Sequence, residues 1–473
     1  MSRPGYEPHS VAWLLVASLA IAGCATALPP PRLAPAALSS PPAPAPAITE
    51  APEATPDLTA PARPAFVAKV PELAHFHEAL FGLETRSRRD HARIAWLGDS
   101  HGQADFWSGR VRRDLQKRFG DGGPGYVALG YKNYRHDRVA IEIGGKWRMR
   151  PKQPASAKPV GDGVYGLAGL LMGGYSGGPR VALTYDAPAS TRLRFDVCVK
   201  TRAAGDGFSI EAPGGDSLTL TPPADNVGKL LTFTLTGQGA GPLVVKTIGG
   251  SPDYCGAVIE TDPASRPGVV LDQLGFNGAR YGTPLAWDEA TWSKELARRA
   301  PDLVILEYGG NEAGDASPAY EKIGAQVEEL AARVRRVRPN ADCLVIAPTD
   351  RADAEDRVPL VVASVKAAAA RAKCAFFDAY ALSGGRGSMA ARREETKPRA
   401  QKDGVHMTIR GYEEMGALLA AALVEAYEGP RATAKSDLAA PDTPVPSSGT
   451  RKTPQAPEAI TLGGRWIGED VAW

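Results

Sequence analysis

Short apolar runs followed by amphipathic helical segments occupy both ends of this chain's foldable stretch, and a block with a different period separates them. Ile94-Ala95-Trp96-Leu97, Leu303-Val304-Ile305-Leu306, Leu344-Val345-Ile346 and Ala375-Phe376-Phe377 are short and uninterrupted, as strands buried on both faces are. Val269-Val270-Leu271 and Gly125 to Leu129 read as further strands. Helical spacing recurs in Leu73, Phe76, Leu80 and Phe81, and in Val111, Leu115 and Phe119, closed by Gly120. Ser317-Pro318 reads as the cap of a helix carrying Tyr320, Ile323, Val327, Leu330 and Val334. Thr408 opens a last helix with Tyr412, Met415, Leu419 and Leu423, predicted to stop at Gly429-Pro430. From 132 to 267 the pattern changes to alternation, as in Arg192-Leu193-Arg194-Phe195-Asp196-Val197 and Leu231-Thr232-Phe233-Thr234-Leu235, broken by Gly, Pro, Asn and Asp. That is the pattern of short antiparallel strands, hence of a β-sandwich. The expected fold is therefore α/β: a three-layer parallel sheet interrupted by an all-β insert and completed only when its two halves meet.

At 473 residues the chain exceeds one ordinary domain; glycine (51) and proline (41) are both plentiful, and the prolines crowd toward the ends. The expected organisation is a signal peptide (1–23), a Pro/Ala-rich tether (24–65), the first half of the α/β domain (66–131), the insert (132–267), the second half (268–430) and a low-complexity tail (431–473). Arg3 and the apolar stretch from Val11 to Ala22 form an export signal too short for a confident membrane span. Its end, Ile21-Ala22-Gly23-Cys24, resembles the bacterial lipobox, which implies cleavage before Cys24 and lipid attachment there. The alternative is an ordinary signal peptide with an incidental cysteine. Ala25 resembles the version sorted to the outer membrane, facing the periplasm. Acyl chains on one residue can hold a protein at a bilayer without a spanning helix. A formal net charge of +2 without a long basic run gives no reason to invoke nucleic acid.

Besides Cys24, the chain has Cys198, Cys255, Cys343 and Cys374. In an exported protein these permit disulfides. Pairing Cys198 with Cys255 and Cys343 with Cys374 keeps each bridge within one unit, and free buried thiols are the alternative. No CxxC pair or spaced Cys/His cluster points to a metal, and no cofactor is expected.

Four segments carry chemistry. In an open parallel sheet reactive groups gather past the carboxyl ends of the strands. Gly98-Asp99-Ser100-His101 follows one strand and places a hydroxyl at its tip. Gly275-Phe276-Asn277-Gly278-Ala279 follows another, and Tyr308-Gly309-Gly310-Asn311-Glu312 a third; turn amides and an Asn amide are the donors an oxyanion hole needs. Asp403-Gly404-Val405-His406 precedes the last helix and offers an imidazole with a carboxylate three residues before it. Gly174-Tyr175-Ser176-Gly177-Gly178 also fits the G-x-S-x-G elbow, but strand-like sequence follows it where that motif needs a helix. His75 and His77 lie on an amphipathic segment, and His101 has no carboxylate at a comparable offset.

These four segments, in this order, resemble the conserved blocks of the SGNH/GDSL hydrolase family. The resemblance implies a flavodoxin-like sheet, a catalytic set of Ser100, Asp403 and His406, and an oxyanion hole of the Ser100 amide, Gly278 and Asn311. It departs at His101, where the family's name has leucine. Ser100-His101-Gly102-Gln103-Ala104-Asp105 and Gly384-Gly385-Arg386-Gly387-Ser388-Met389 further resemble the branch of bacterial peptidoglycan O-acetylesterases, in which a carbohydrate-binding-module-like β-sandwich is inserted. What this implies is a serine esterase removing O-acetyl groups from an acetylated envelope polysaccharide. O-acetyl transfer on the same glycan and a non-catalytic glycan-binding lipoprotein are the alternatives. The insert is expected to bind the glycan polymer, with support of the fold as the alternative.

Overall fold

The computed structural model describes residues 70–174 and 178–437, with the backbone alone for 429–437. The expected signal peptide, tether, Cys24 and all but the start of the tail lie outside the described residues, as does Ser176.

Ala92–Gly98, Val269–Gln273, Leu303–Glu307, Asp342–Ile346 and Ala375–Phe377 form a five-stranded parallel sheet. The second of these in sequence lies outside the first, and the other three extend the opposite way. That 2-1-3-4-5 order is the flavodoxin-like one, whose topological switch falls between the first and third strands. Successive side chains in a strand point to opposite faces. Ile94, Trp96, Ile305 and Ile346 accordingly share one core with Phe76, Leu115 and Met415. Ala95, Leu97, Val304 and Val345 share another with Leu296, Val327 and Val361. Helices Ala74–Glu84, Trp107–Phe119 and Ile409–Asp437 thus cover one face, and Glu289–Arg299, Tyr320–Val337 and Val358–Arg371 cover the other.

Three local readings change. The helix expected from Ser317-Pro318 begins at Tyr320, with Ala319 at its N-cap and no side-chain cap. The last helix runs to Asp437, past Gly429-Pro430. A proline within a helix loses one hydrogen bond and bends the axis without having to end it. Gly125–Val127 is a strand, but it pairs antiparallel with Asp253–Thr261 rather than joining the parallel sheet.

Between the first two parallel strands the chain builds two antiparallel sheets. One contains Trp147–Arg150, Leu171–Gly174, Arg192–Lys200, Leu230–Gln238 and Asp253–Thr261. The other contains Val139–Gly144, Arg180–Tyr185, Gly207–Glu211, Ser217–Leu220 and Leu243–Gly249. The cysteines pair within each region, Cys198 with Cys255 and Cys343 with Cys374.

The antiparallel region and the parallel sheet share their interior. Phe195, Val197 and Tyr254 belong to the same buried cluster as Ala95, Leu97 and Val304. The outer edge of Val269–Gln273 is closed by the chain entering this region: Val269 N donates to Gly120 O (2.9 Å) and Gly122 N to Val269 O (3.1 Å). Such closure removes an edge that would otherwise invite pairing with another chain. A buried ion network crosses the same boundary. Glu260 accepts from Arg93 Nε (2.9 Å) and pairs with Arg299 (2.9 Å), which also donates to Asp272 (2.8 Å). Burial opposes ionisation of Glu260, but Arg299 and Arg93 overcome it and hold its carboxyl well below the usual range. Excising 132–267 in favour of a short Gly/Ser linker would take Glu260 from Arg93 and Arg299, leaving them Asp90 and Asp272, bare the apolar face packed on this region and open the sheet edge. The expected outcome is insoluble protein, read by size-exclusion chromatography; a soluble monomer with native-like circular dichroism would contradict this.

Candidate active site

The switch point sets the site. Gly98 lies opposite Glu307 in register, so the loops leaving those two strand ends emerge side by side. A Cβ at Gly98 would stand 2.3 Å from Glu307 Oε2, so only glycine leaves room for that carboxyl. Asp99 caps the one-turn helix Ser100–Gln103, its Oδ1 accepting from the His101 amide at 2.9 Å. Ser100 follows, half-buried at the sheet's carboxyl edge.

Ser100 Oγ is 2.9 Å from His406 Nε2, and His406 Nδ1 is 2.6 Å from Asp403 Oδ2. Asp403 Oδ1 accepts the amides of Val405 (2.9 Å) and His406 (3.0 Å), fixing the turn. Gly404 has φ +67°, which L side chains rarely adopt. Burial raises the Asp403 carboxyl, but the bond from His406 and the two amides outweigh it, leaving it below its ordinary value. An ionised Asp403 keeps the imidazole proton on Nδ1, so Nε2 is free to accept from Ser100. A hydroxyl, an imidazole and a carboxylate in line can pass a proton from Ser100 to His406.

Gly278 stands in a stretch, 276–281, whose other amides are occupied. Phe276 N donates to Gly98 O (3.2 Å) and Asn277 N to Gln103 Oε1 (2.6 Å). Ala279 N donates to Phe276 O (3.2 Å), Arg280 N to Thr283 Oγ1 (3.0 Å) and Tyr281 N to Glu312 Oε1 (2.8 Å). The Gly278 amide has no acceptor among the described residues, and its φ of +80° turns it out of the pattern of its neighbours. Asn311 Nδ2 donates to Ala279 O at 3.0 Å and, at a long 3.3 Å, to Asp99 Oδ2.

The sequence reading missed the residues that hold these groups. Glu307 is fully buried and accepts the Asp99 amide at 3.3 Å. Burial raises its carboxyl well above normal, and the Asp99 charge raises it further. Burial raises Asp99 as well. Glu312 ties the Gly278 loop to the Asn311 turn by accepting both Tyr281 N and Gly309 N (3.2 Å); burial pushes it up to about 7. Arg351 donates to Gly310 O (3.0 Å), and Ala352 N to Gly404 O (2.9 Å), so one loop braces both the Asn311 turn and the His406 turn. The available signal was a charged residue closing an apolar run, Leu303 to Glu307. His101 is buried against Tyr412, whose hydroxyl is 3.1 Å from Nδ1. Burial first, then His406, lowers the His101 pKa to about 3, so it stays neutral.

The competing residues fall elsewhere. His75 pairs with Asp342 (3.0 Å), and His77 is buried edge-on to Tyr427. The G-x-S-x-G stretch joins antiparallel strands Leu171–Gly174 and Arg180–Tyr185, with no helix after it. No group of three or more His, Cys, Asp or Glu among the described residues could hold a metal.

Residues 215–414 match the model of the GDSL-like lipase/acylhydrolase family. The chain therefore contains a domain of that family, and its class is that of an acylhydrolase. The match includes Gly278, Asn311, Asp403 and His406; the fold brings Ser100 to them from outside it. Among solved structures, a peptidoglycan O-acetylesterase is 23% identical, covering 75% of this chain and 96% of that one, with a TM-score of 0.62. A lipase/acylhydrolase from Enterococcus faecalis is 21% identical over 33% of this chain and 76% of that one (TM-score 0.26). A family two carbohydrate esterase from Clostridium thermocellum, in complex with cellohexaose, is 12% identical over 60% of this chain and 98% of that one (TM-score 0.26). No curated protein matches the chain.

Behind Ser100, Asp105 accepts from Arg112 (2.7 and 3.0 Å), Ser108 (2.5 Å) and the Asp137 amide (2.8 Å), with both partners of the ion pair fully buried. Burial opposes its charge, but Arg112 prevails and holds the carboxyl well below normal. A depressed folded pKa stabilises at neutral pH, and the gain is lost as pH falls below the ordinary carboxylate value of about 4. Asp105→Asn strands Arg112 and is expected to cost about 3–5 kcal/mol by chemical denaturation at pH 7. The difference from wild type should shrink as the pH is lowered toward 3.

Proposed function

We propose that the protein is a serine esterase that removes O-acetyl groups from a cell-envelope glycan, with peptidoglycan as the substrate. The observation that carries this is the continuous chain from Ser100 Oγ through His406 to Asp403, beside a loop amide at Gly278 that has no acceptor among the described residues. In the first step His406 Nε2 takes the Ser100 proton as Oγ attacks the acetyl carbonyl. The negative oxygen is held by the amides of Ser100 and Gly278 and by Asn311, whose long bond to Asp99 is the one exchanged for it. His406 then gives its proton to the leaving sugar oxygen, and the C–O bond breaks to leave acetyl-Ser100. Water, deprotonated by His406, attacks the acetyl group; acetate leaves and Ser100 recovers its proton. Asp403 stabilises the imidazolium in both halves without taking its proton.

The choice of substrate is supported by the fold likeness to a peptidoglycan O-acetylesterase and by the lipobox-like Cys24. A lipid on Cys24 would hold the enzyme at the outer membrane, facing the periplasm. The Pro/Ala-rich stretch behind it would act as a semi-rigid spacer between anchor and hydrolase.

Acetate release from acetylated peptidoglycan, acetylated xylan and a chromogenic acetate, measured side by side, tests the reading. Preference for peptidoglycan supports it; activity on the chromogenic ester and xylan alone would move the substrate elsewhere. Ser100→Ala should abolish turnover, and His406→Ala or Asp403→Ala should lower kcat by about 10⁴ to 10⁶, with little further loss on combination. Asn311→Ala should cost about 10² to 10³ in kcat. A rise in KM alone would make Asn311 a substrate-binding residue.

A further inference from the structure

We propose that Thr283 is a positioning residue for the oxyanion loop, and that the antiparallel region supplies the acceptor that orients it. The inference rests on the reading of Gly278 as an oxyanion donor. Four of the five occupied amides around Gly278 bond to Gly98 O, Gln103, Phe276 O and Glu312. The remaining one, Arg280 N, lies two residues past Gly278 and donates to Thr283 Oγ1 at 3.0 Å. A hydroxyl carries one proton, and its direction decides which lone pair faces the amide. Thr283 Oγ1 commits that proton to Ala155 O at 2.9 Å.

Ala155 belongs to neither half of the parallel sheet. It lies between Trp147–Arg150 and Leu171–Gly174, strands of one antiparallel sheet. The same segment lies along the loop. Ala155 Cβ is 3.3 Å from where a Cβ on Gly278 would stand, and Ala157 Cβ is 3.0 Å from the corresponding point on Gly282. Farther along, Asp288 N donates to Gly163 O (3.0 Å) and Trp292 Nε1 to Leu167 O (3.2 Å), so the segment is docked at several points. The relay from Ala155 C=O through Thr283 O–H to Arg280 N–H is therefore a fixed strut behind the oxyanion loop. Thr283 is fully buried, away from where a substrate would sit. Its part is to hold the Gly278 N–H at the distance where it stabilises charge, a geometry in which a displacement near 1 Å costs about 10²-fold.

The test uses the full chain and a soluble acetate ester. Thr283→Val keeps the shape and removes the hydroxyl; Thr283→Ser keeps the hydroxyl and removes the methyl. The expected result is a fall in kcat of about tenfold or more for Thr283→Val, KM within about twofold of wild type, and recovery to within about threefold in Thr283→Ser. Equal losses in the two variants, a change in KM alone, or an unchanged kcat in folded Thr283→Val would overturn the proposal. Should Thr283→Val fail to fold, Thr283→Ala also removes the hydroxyl and should lower kcat in the same way; an unchanged kcat in folded Thr283→Ala would also overturn it. Ser100→Ala, run in parallel, separates the two readings. An active Ser100→Ala sinks the proposed mechanism itself, whereas an inactive Ser100→Ala with normal Thr283 variants sinks this inference alone.

Discussion

A buried carboxyl at the junction of two strand ends organises the candidate active site. Glu307 closes its strand where Gly98 closes the neighbouring one, and its Oε2 fills the space that a side chain on residue 98 would need. It accepts the amide of Asp99, and so fixes the direction in which the chain leaves the first strand. Ser100 is the next residue. Four residues past Glu307, Asn311 returns to the same spot and donates to Asp99. The Ser100 and Asn311 turns are thus referenced to one another through two carboxyls and a missing Cβ, at the point where the sheet's order reverses.

The cost of that arrangement is desolvation, and it decides the protonation of the pair. Two carboxyls buried this close cannot both ionise, so at neutral pH they share a single negative charge. Glu307, raised both by burial and by its neighbour, keeps the proton. Asp99 is the better anion because two donors, the His101 amide and Asn311, already face it. This matters for the chemistry proposed here, since a second negative charge beneath an oxyanion hole would oppose the charge that develops there. Glu312 and Gln103 follow the same logic: each is a buried polar side chain whose oxygens are taken up by backbone amides of loops that must be held still.

The parallel strands were legible because burial on both faces demands uninterrupted apolar residues, and Ile94 to Leu97 or Leu303 to Leu306 satisfy that demand locally. Ser100 and His406 were legible because chemistry-bearing residues follow strand ends or precede a helix in short, glycine-containing turns. Their 2.9 Å contact joins residues 306 apart in sequence, yet each turn announces itself. Glu307 and Glu312 were not legible in that way. A glutamate's burial depends on what lies opposite it, and the partners here, Gly98, Asp99 and Tyr281, come from other loops. The pairing of Gly125–Val127 was illegible for a related reason: a three-residue strand carries no signal for which sheet it joins. Gly429-Pro430 misled because turn residues report local cost, and the packing of Tyr412, Met415, Leu419 and Leu423 outweighs one lost hydrogen bond in a long helix.

The antiparallel region bears on the site through the interface it forms. It leaves after the first parallel strand and its helix and returns at the second, the pair that lies at the sheet's edge. Its entry segment closes that edge, its core merges with one face of the sheet, and Ala155 reaches the loop that carries Gly278. A separate platform for a sugar polymer would call for exposed aromatic rings, since stacking on pyranose faces needs flat apolar surface. Among the described residues of this region Val227 and Ile248 are exposed and branched, and the rings of Trp147 and Phe233 are half-buried. The contacts of this region therefore run toward the loops of the candidate site. Contacts of this kind stiffen the loops they touch.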